Sequence, residues 1–268
     1  MVWLDEGGRG RRQAKLILPS PELAPWVEHF WIQRGYRAAA DRPWRIVADS
    51  SPHIIFTLEP SPGGIVRARC SLVGSREMYH DIKVTTRTIT AGARLRAAAL
   101  AQIARSAADV FTGRAFSVED VFGPAGRALV DRMSQGTPEA AVNHLGQFLE
   151  ERLASSEADS RFEVAVRRSR SVASLAAVLN ISLRTAYARA IETTGLTPIR
   201  LLRIVRLHTA LRHASAPGAK WTDTACIAGY ADQAHMVREF RSFLGESPEA
   251  WRRRAIADLF NTNHNTDC

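Results

Sequence analysis

Cysteine is scarce in this chain. Cys70, Cys226 and Cys268 are its only three in 268 residues. They are too few and too far apart for a disulfide framework or a zinc cluster, and fit reduced thiols inside a cell. No apolar run approaches the roughly 20 residues that a membrane-spanning helix requires. The opening residues, Met1 to Glu6, lack a basic start followed by an apolar stretch, so no secretory signal is expected. Around His29, His53, His80 and Cys70 there is no His-x-His pair with a later Glu and His, which counts against a catalytic metal site there.

Apolar residues are not lacking: 46% of the chain is hydrophobic, which supports packed cores rather than broad disorder. The length suits two ordinary domains. Net charge is +9, and its distribution is uneven. Residues 161–254 hold 16 Lys and Arg against seven Asp and Glu, whereas residues 1–160 hold 20 against 18. A basic excess confined to the C-terminal segment points to a polyanionic partner, most commonly nucleic acid.

Along the chain, residues 1–15 are rich in Gly and Arg and read as loose. Arg45 to about Arg96 reads as strands. Ile54–Leu58 is β-rich and is followed by a Ser61-Pro62-Gly63-Gly64 turn leading into Ile65-Val66, and Lys83–Thr90 is rich in β-branched residues. From Leu95 the pattern turns helical, with an alanine-rich helix over Ala97–Ala108 and a short helix opened by Ser117-Val118-Glu119-Asp120. Thr137-Pro138-Glu139 begins another, which carries Val142, Leu145, Leu149 and Leu153 on one stripe, read as core or as a dimer contact. Ser155–Ser160 is polar and small and reads as a linker.

Residues 161–254 read as all helix and repeat themselves at an offset of 50 positions. Ser182 matches Asp232, Gly195 matches Gly245, and Thr197-Pro198 matches Ser247-Pro248. A short helix and a tight turn precede each cap: Val172–Leu179 with Asn180-Ile181, and Asp223–Ala228 with Gly229-Tyr230-Ala231. Helix, tight turn and capped helix make a helix-turn-helix, present twice. In the second copy Met236, Phe240 and Phe243 face inward, leaving Gln233, Ala234, Val237, Arg238 and Arg241 outside. Gln suits adenine, Arg suits guanine or phosphate, and Ala or Val suits a thymine methyl. In the first copy only Ala186 and Ala190 face inward; Leu183, Arg184, Tyr187, Ala188 and Ile191 face outward, and Arg189 lies to the side within reach of phosphate. Between the copies a linker helix over Thr197–His213 carries Ile199, Leu202 and Val205 on one side. Arg200, Arg203 and Arg206 lie on another, with no local acid to pair them, so the row could face phosphate.

The stretch from Ala225 to Trp251 closely resembles the signature of the AraC/XylS regulators. Ala225, Gly229, Tyr230, Asp232, Gln233, Arg238, Phe240, Arg241, Gly245, Ser247 and Pro248 match in register, and the likeness extends back to about Arg161. The resemblance implies two recognition helices in successive major grooves. Its base-facing candidates are Arg184, Tyr187 and Ala188, then Gln233, Ala234, Val237 and Arg238. The first unit departs from the pattern: Ala186, Ala188 and Ala190 stand where the family usually has Leu, Arg and Phe. More faintly, Pro21–Trp31, Ala48–Phe56 and Gly92–Leu95 resemble small cupin-like sensor domains of such regulators.

The expected fold is α+β. A cupin-like barrel or sandwich with helices spans 1–156, with its helical part at 95–155. A DNA-binding domain of two helix-turn-helix units joined by a linker helix spans 160–255, and a disordered tail 256–268. The expected function is sequence-specific transcription regulation in the cytoplasm, with double-stranded DNA as partner. The DNA contacts are Leu183, Arg184, Tyr187, Ala188, Arg189, Gln233, Ala234, Val237, Arg238 and Arg241. A small-molecule effector or dimerisation through the N-terminal domain would modulate it. Family resemblance adds RNA polymerase as a partner; no cofactor, metal or catalytic residue is expected. Three alternatives stay open. One is a cupin-like metalloenzyme using His29, His53, His80 or Cys70. Another is an alkyl-accepting cysteine, although Cys226, expected to be packed, and Cys268 lack a Pro-Cys-His-Arg context. The third is a protein-interaction module with a degenerate DNA face.

Overall fold

The computed structural model describes residues 14–34, 44–60, 66–82, 88–156 and 160–260. Residues 1–13, the turn at 61–64, the first part of the 83–90 strand, linker positions 157–159 and the tail beyond 260 lie outside the described residues.

Six strands form one antiparallel sheet. They are β1 (Ala14–Ile17), β2 (Val27–Arg34), β4 (His53–Pro60), β5 (Val66–Val73), β7 (Ile89–Leu95) and β8 (Ala115–Ser117), in the order β1-β2-β7-β4-β5-β8. Two more, β3 (Trp44–Ile46) and β6 (His80–Ile82), pair with each other in a separate small sheet. Alternation along each strand divides the large sheet into two faces. Phe30 and Ile32, Ile54 and Phe56, Cys70 and Leu72, and Ala91, Ala93 and Leu95 enter one buried cluster. Four helices supply its other half: α1 (Ala97–Ala104), α2 (Val118–Phe122), α3 (Pro124–Ser134) and α4 (Pro138–Leu153). The stripe Val142, Leu145, Leu149 and Leu153 on α4 is core, not a dimer contact.

Helix α1 is shorter than the alanine-rich run suggests. Arg105 adopts a left-handed backbone (φ 50°) that ends it, and a single 3₁₀ turn, Ala108–Phe111, follows. Both Ala108 and Phe111 are buried, so burying that turn against the core outweighs helix propensity.

The C-terminal domain is all helix: α5 (Arg161–Arg168), α6 (Val172–Leu179), α7 (Leu183–Thr194), α8 (Pro198–Ala214), α9 (Trp221–Ala228), α10 (Gln233–Leu244) and α11 (Pro248–Phe260). Helix α11 runs past position 255, where a tail was expected to begin. The repeat is carried by matched local devices. Ser182 Oγ accepts from Thr185 N at 3.1 Å, and Asp232 Oδ1 accepts from His235 N at 2.6 Å. Asn180 and Gly229 take the left-handed conformation that lets each tight turn close. Met236, Phe240 and Phe243 are buried as expected, with Phe240 edge-on to both Trp221 and Trp251. On α8 the buried side is Leu201, Ile204, Leu207 and Leu211, whereas Ile199 is half exposed, contrary to its expected place beside Leu202. This second core also takes in Val47 and Ala48 from the N-terminal domain, so the two domains share packing.

Candidate nucleic-acid interface

Helices α7 and α10 present the residues that could touch DNA. On α7, Leu183, Arg184, Tyr187 and Ala188 are exposed. On α10, Gln233, Ala234, Arg238 and Arg241 are exposed, and Val237 is half buried. Arg189 is also half buried, its guanidinium 6.0 Å from the Phe162 ring, which turns it toward its own domain. Gln233, Ala234, Val237, Arg238 and Arg241 fall on one helix at a spacing that suits base-edge and phosphate contacts.

The small inner residues of the first unit have a structural counterpart. Ala186 and Ala190 are fully buried, and α7 lies against α1 and the Ala108–Phe111 turn of the N-terminal domain. Ala190 lies in the C-terminal core, where a small side chain lets α7 pack close to α6 and α8.

The arginine row on α8 finds acids from elsewhere in the chain. Arg200 pairs with Glu77 at 2.7 Å and Arg203 with Glu239 at 2.8 Å, while Arg206 lies 5.5 Å from the Tyr230 ring and reaches the Arg170 carbonyl at 3.5 Å. No sequence argument could find these partners, because Glu77 is over a hundred positions away from Arg200.

A second cluster, not foreseen, sits where the domains meet. Arg94 on β7 is buried and is held by Asp49 and by Glu28, whose Oε2 lies 2.6 Å from its Nε. Burial lowers the Arg94 pKa to about 9, which leaves it charged at neutral pH. Asp49 also accepts from His53 Nε2 at 3.1 Å. His29, Arg94 and His53 stand side by side across β2, β7 and β4, on the sheet face turned away from the helices. Trp31 on that face is flanked edge-on by His29 and His53, at 6.4 and 5.6 Å between ring centres. His29 Nε2 and His53 Nδ1 are buried there with no protein hydrogen-bond partner.

Cys70 lies on the opposite, helix-facing side, where burial pushes its thiol up to about 12. Among the described residues no three potential metal ligands come together. Cys226, expected to be packed, is exposed, because Thr224, Ala225 and Ala228 fill the inner side of α9.

His208 of α8 joins this cluster across the domain boundary, its Nε2 donating to the Ala48 carbonyl at 2.7 Å. Burial lowers its pKa, helped by Arg94 and Arg212 and opposed by Asp49 and the Ala48 carbonyl. The docked ring is therefore neutral at neutral pH, and a released ring protonates near 6.5. Its contribution to docking is complete above that value and is lost as pH falls through the lower docked-state value. Melting temperature should drop between about pH 7.5 and about pH 5.5, and less so in His208→Gln, which keeps a donor but cannot titrate. Equal drops in both proteins would clear His208 of the effect.

Comparison with known proteins agrees with this architecture. A helix-turn-helix domain family matches residues 175–254, and a domain of unknown function, DUF6597, matches residues 15–117. The transcriptional activator RhaS of Pectobacterium carotovorum subsp. carotovorum (strain PC1) is 31% identical over 84 residues, covering 31% of this chain and 30% of RhaS. RhaS of Pectobacterium atrosepticum is 30% identical over 83 residues, with the same coverage. The chain thus spans less than a third of the length of these relatives. Among solved structures, the DNA-binding domain of AdpA in complex with a target DNA is 24% identical, with TM-score 0.34, covering 37% of this chain and 96% of that one. ToxT from Vibrio cholerae O395 is 8% identical, with TM-score 0.43, covering 91% and 98%. Residues 175–254 are thus matched by a helix-turn-helix domain family, and a stretch of 84 residues is similar to the transcriptional activator RhaS.

Proposed function

We propose that the chain is a sequence-specific DNA-binding transcription regulator. The observation that carries this reading is the pair of capped, exposed recognition helices in the most basic third of the molecule. The DNA contacts are the exposed Leu183, Arg184, Tyr187 and Ala188 on α7 and Gln233, Ala234, Arg238 and Arg241 on α10, with Val237 and Arg189 at their margins. In this reading the N-terminal domain is a cupin-like sensor. Its effector site is the sheet face around Trp31, where two buried imidazole nitrogens await polar partners. RNA polymerase and a second copy of the chain are its protein partners, in the cytoplasm.

Selection of random duplex DNA by the full-length protein at near-physiological salt tests the reading. Recovery of two boxes one helical turn apart is expected, and binding should weaken steeply with added salt. Recovery of no motif by either the full chain or its 160–260 segment would overturn it in favour of a protein-interaction module. On the recovered motif, Arg238→Ala should cost about 1–3 kcal/mol of specific binding and relax preference at one base position. Unchanged affinity would take Arg238 out of the groove.

A further inference from the structure

Ser75, Glu77 and Tyr79 occupy alternate positions of one short segment, and each meets a different part of the DNA-binding domain. The fully buried Ser75 hydroxyl lies 2.6 Å from the Thr194 carbonyl, at the end of α7. Glu77 receives Arg200 of the linker helix α8 at 2.7 Å. Tyr79 N–H donates to the Phe243 carbonyl at 3.1 Å, at the end of α10. Two neighbours complete the set. Thr112 Oγ1 donates to the Gly195 carbonyl at 3.1 Å, and Arg45 Nη1 to the Leu244 carbonyl at 2.7 Å. Arg45 is itself fixed by two bonds of 2.7 Å to Asp81 and by the Tyr79 ring 4.0 Å away.

All four carbonyls belong to the ends of the two recognition helices, and those of Thr194 and Leu244 stand at corresponding places in the 50-residue repeat. The last carbonyls of a helix have no partner within it, so an outside donor can take hold of them. The fit is close at both ends. A β-carbon on Gly195 would come within 2.0 Å of Thr112 Oγ1, and one on Gly245 within 2.7 Å of the Tyr79 ring. The segment is also pinned from behind: Arg76 exchanges two backbone hydrogen bonds with Asp49, at 2.9 and 2.7 Å, and Asp49 holds Arg94 and His53. Helix α8 is the covalent link between the two units, and this segment adds a second, non-covalent one.

We propose, resting on the reading of the chain as a DNA-binding regulator, that segment 75–79, with Arg45 and Thr112, sets the separation and rotation of the two recognition helices. It thereby fixes the spacing between the DNA boxes the chain accepts. These are positioning residues: they grip the ends of α7 and α10 and leave the exposed starts of both helices to the DNA.

The test uses the full chain carrying Ser75→Ala with Arg45→Met, which removes one side-chain hold from each helix end. Pulsed electron-spin resonance between labels at Ala188→Cys and Ala234→Cys, in a Cys226→Ser, Cys268→Ser background, reads the helix separation. The buried Cys70 stays unlabelled. The parent should give one narrow distance and the double variant a broad distribution. Unlabelled protein is then assayed on selected duplexes with two base pairs added or removed between the boxes. Parent affinity should fall about tenfold, and that of the double variant by less than about threefold. If the double variant fails to melt cooperatively, Thr112→Val with Glu77→Gln replaces it, with the same expected direction. A distribution as narrow as the parent's in a folded variant overturns the proposal, as does an unchanged spacing preference. A parent that selects no DNA overturns the functional reading instead, and the spin-label distances still decide whether the segment holds the helices.

Discussion

Phe240→Ala is expected to destabilise the C-terminal domain by about 3–5 kcal/mol. Phe240 is fully buried on α10, with Trp221 and Trp251 edge-on at 6.0 and 6.3 Å between ring centres. Truncation removes the ring's transfer free energy and leaves a cavity that two large indoles from α9 and α11 cannot collapse to fill. Edge-to-face contacts add a smaller loss. Helix α10 would then lose its anchor while its outer face stayed chemically intact, so DNA binding should fail through disorder of the second unit rather than through a missing contact. Denaturant unfolding measures the loss, and amide exchange locates it on α9–α11. A variant that melts like the parent would mean that Phe240 is not part of the core.

Asp49→Ala should have an effect of the same size, about 3–5 kcal/mol, by a different route. Asp49 is buried and pairs with buried Arg94 while also accepting from His53. Removing it strands a desolvated guanidinium with Glu28 as its remaining carboxylate, and that residue is partly open to water. An uncompensated buried charge costs far more than the pair itself contributes. Asp49→Asn keeps the shape and loses the charge, so it should recover only part of the stability. The loss should also reach the domain boundary, because the Asp49 backbone holds Arg76 and its neighbour Ala48 holds His208. Amide exchange in α8 should therefore rise in Asp49→Ala; exchange confined to the sheet would contradict a coupling between Asp49 and the linker helix.

Where a structural decision is made within a few residues, the sequence was readable. Ser182 and Asp232 cap their helices through bonds three residues ahead, and Asn180 and Gly229 take the left-handed backbone that the tight turns read there require. Thr137 caps α4 in the same way, and Ser117 caps α2 through a bond two residues ahead. The outward set on α10 follows from helical periodicity once Met236, Phe240 and Phe243 are placed inside. Strand β8 and helix α3 escaped notice because their signals are weak: Ala115–Ser117 has only three residues, and its partner β5 lies over forty positions earlier. Cys226 was misplaced because a short helix offers few periods from which to tell its inner side.

The duplicated helix-turn-helix of the C-terminal third, with its basic outer face on the second copy, was legible in the chain alone, since caps, turns and periodicity are local and the repeat states them twice. Long-range packing alone settles what surrounds the outer faces. It supplied Glu77 for Arg200, drew Arg94, Asp49 and His208 together at the domain boundary, and set Ser75, Thr112, Arg45 and Tyr79 on the ends of α7 and α10. Those contacts join residues from 45 positions apart, for Arg94 with Asp49, to 199, for Arg45 with Leu244. A hydrogen bond across such a distance leaves no periodicity in the chain, because its partners become neighbours only after both cores have packed.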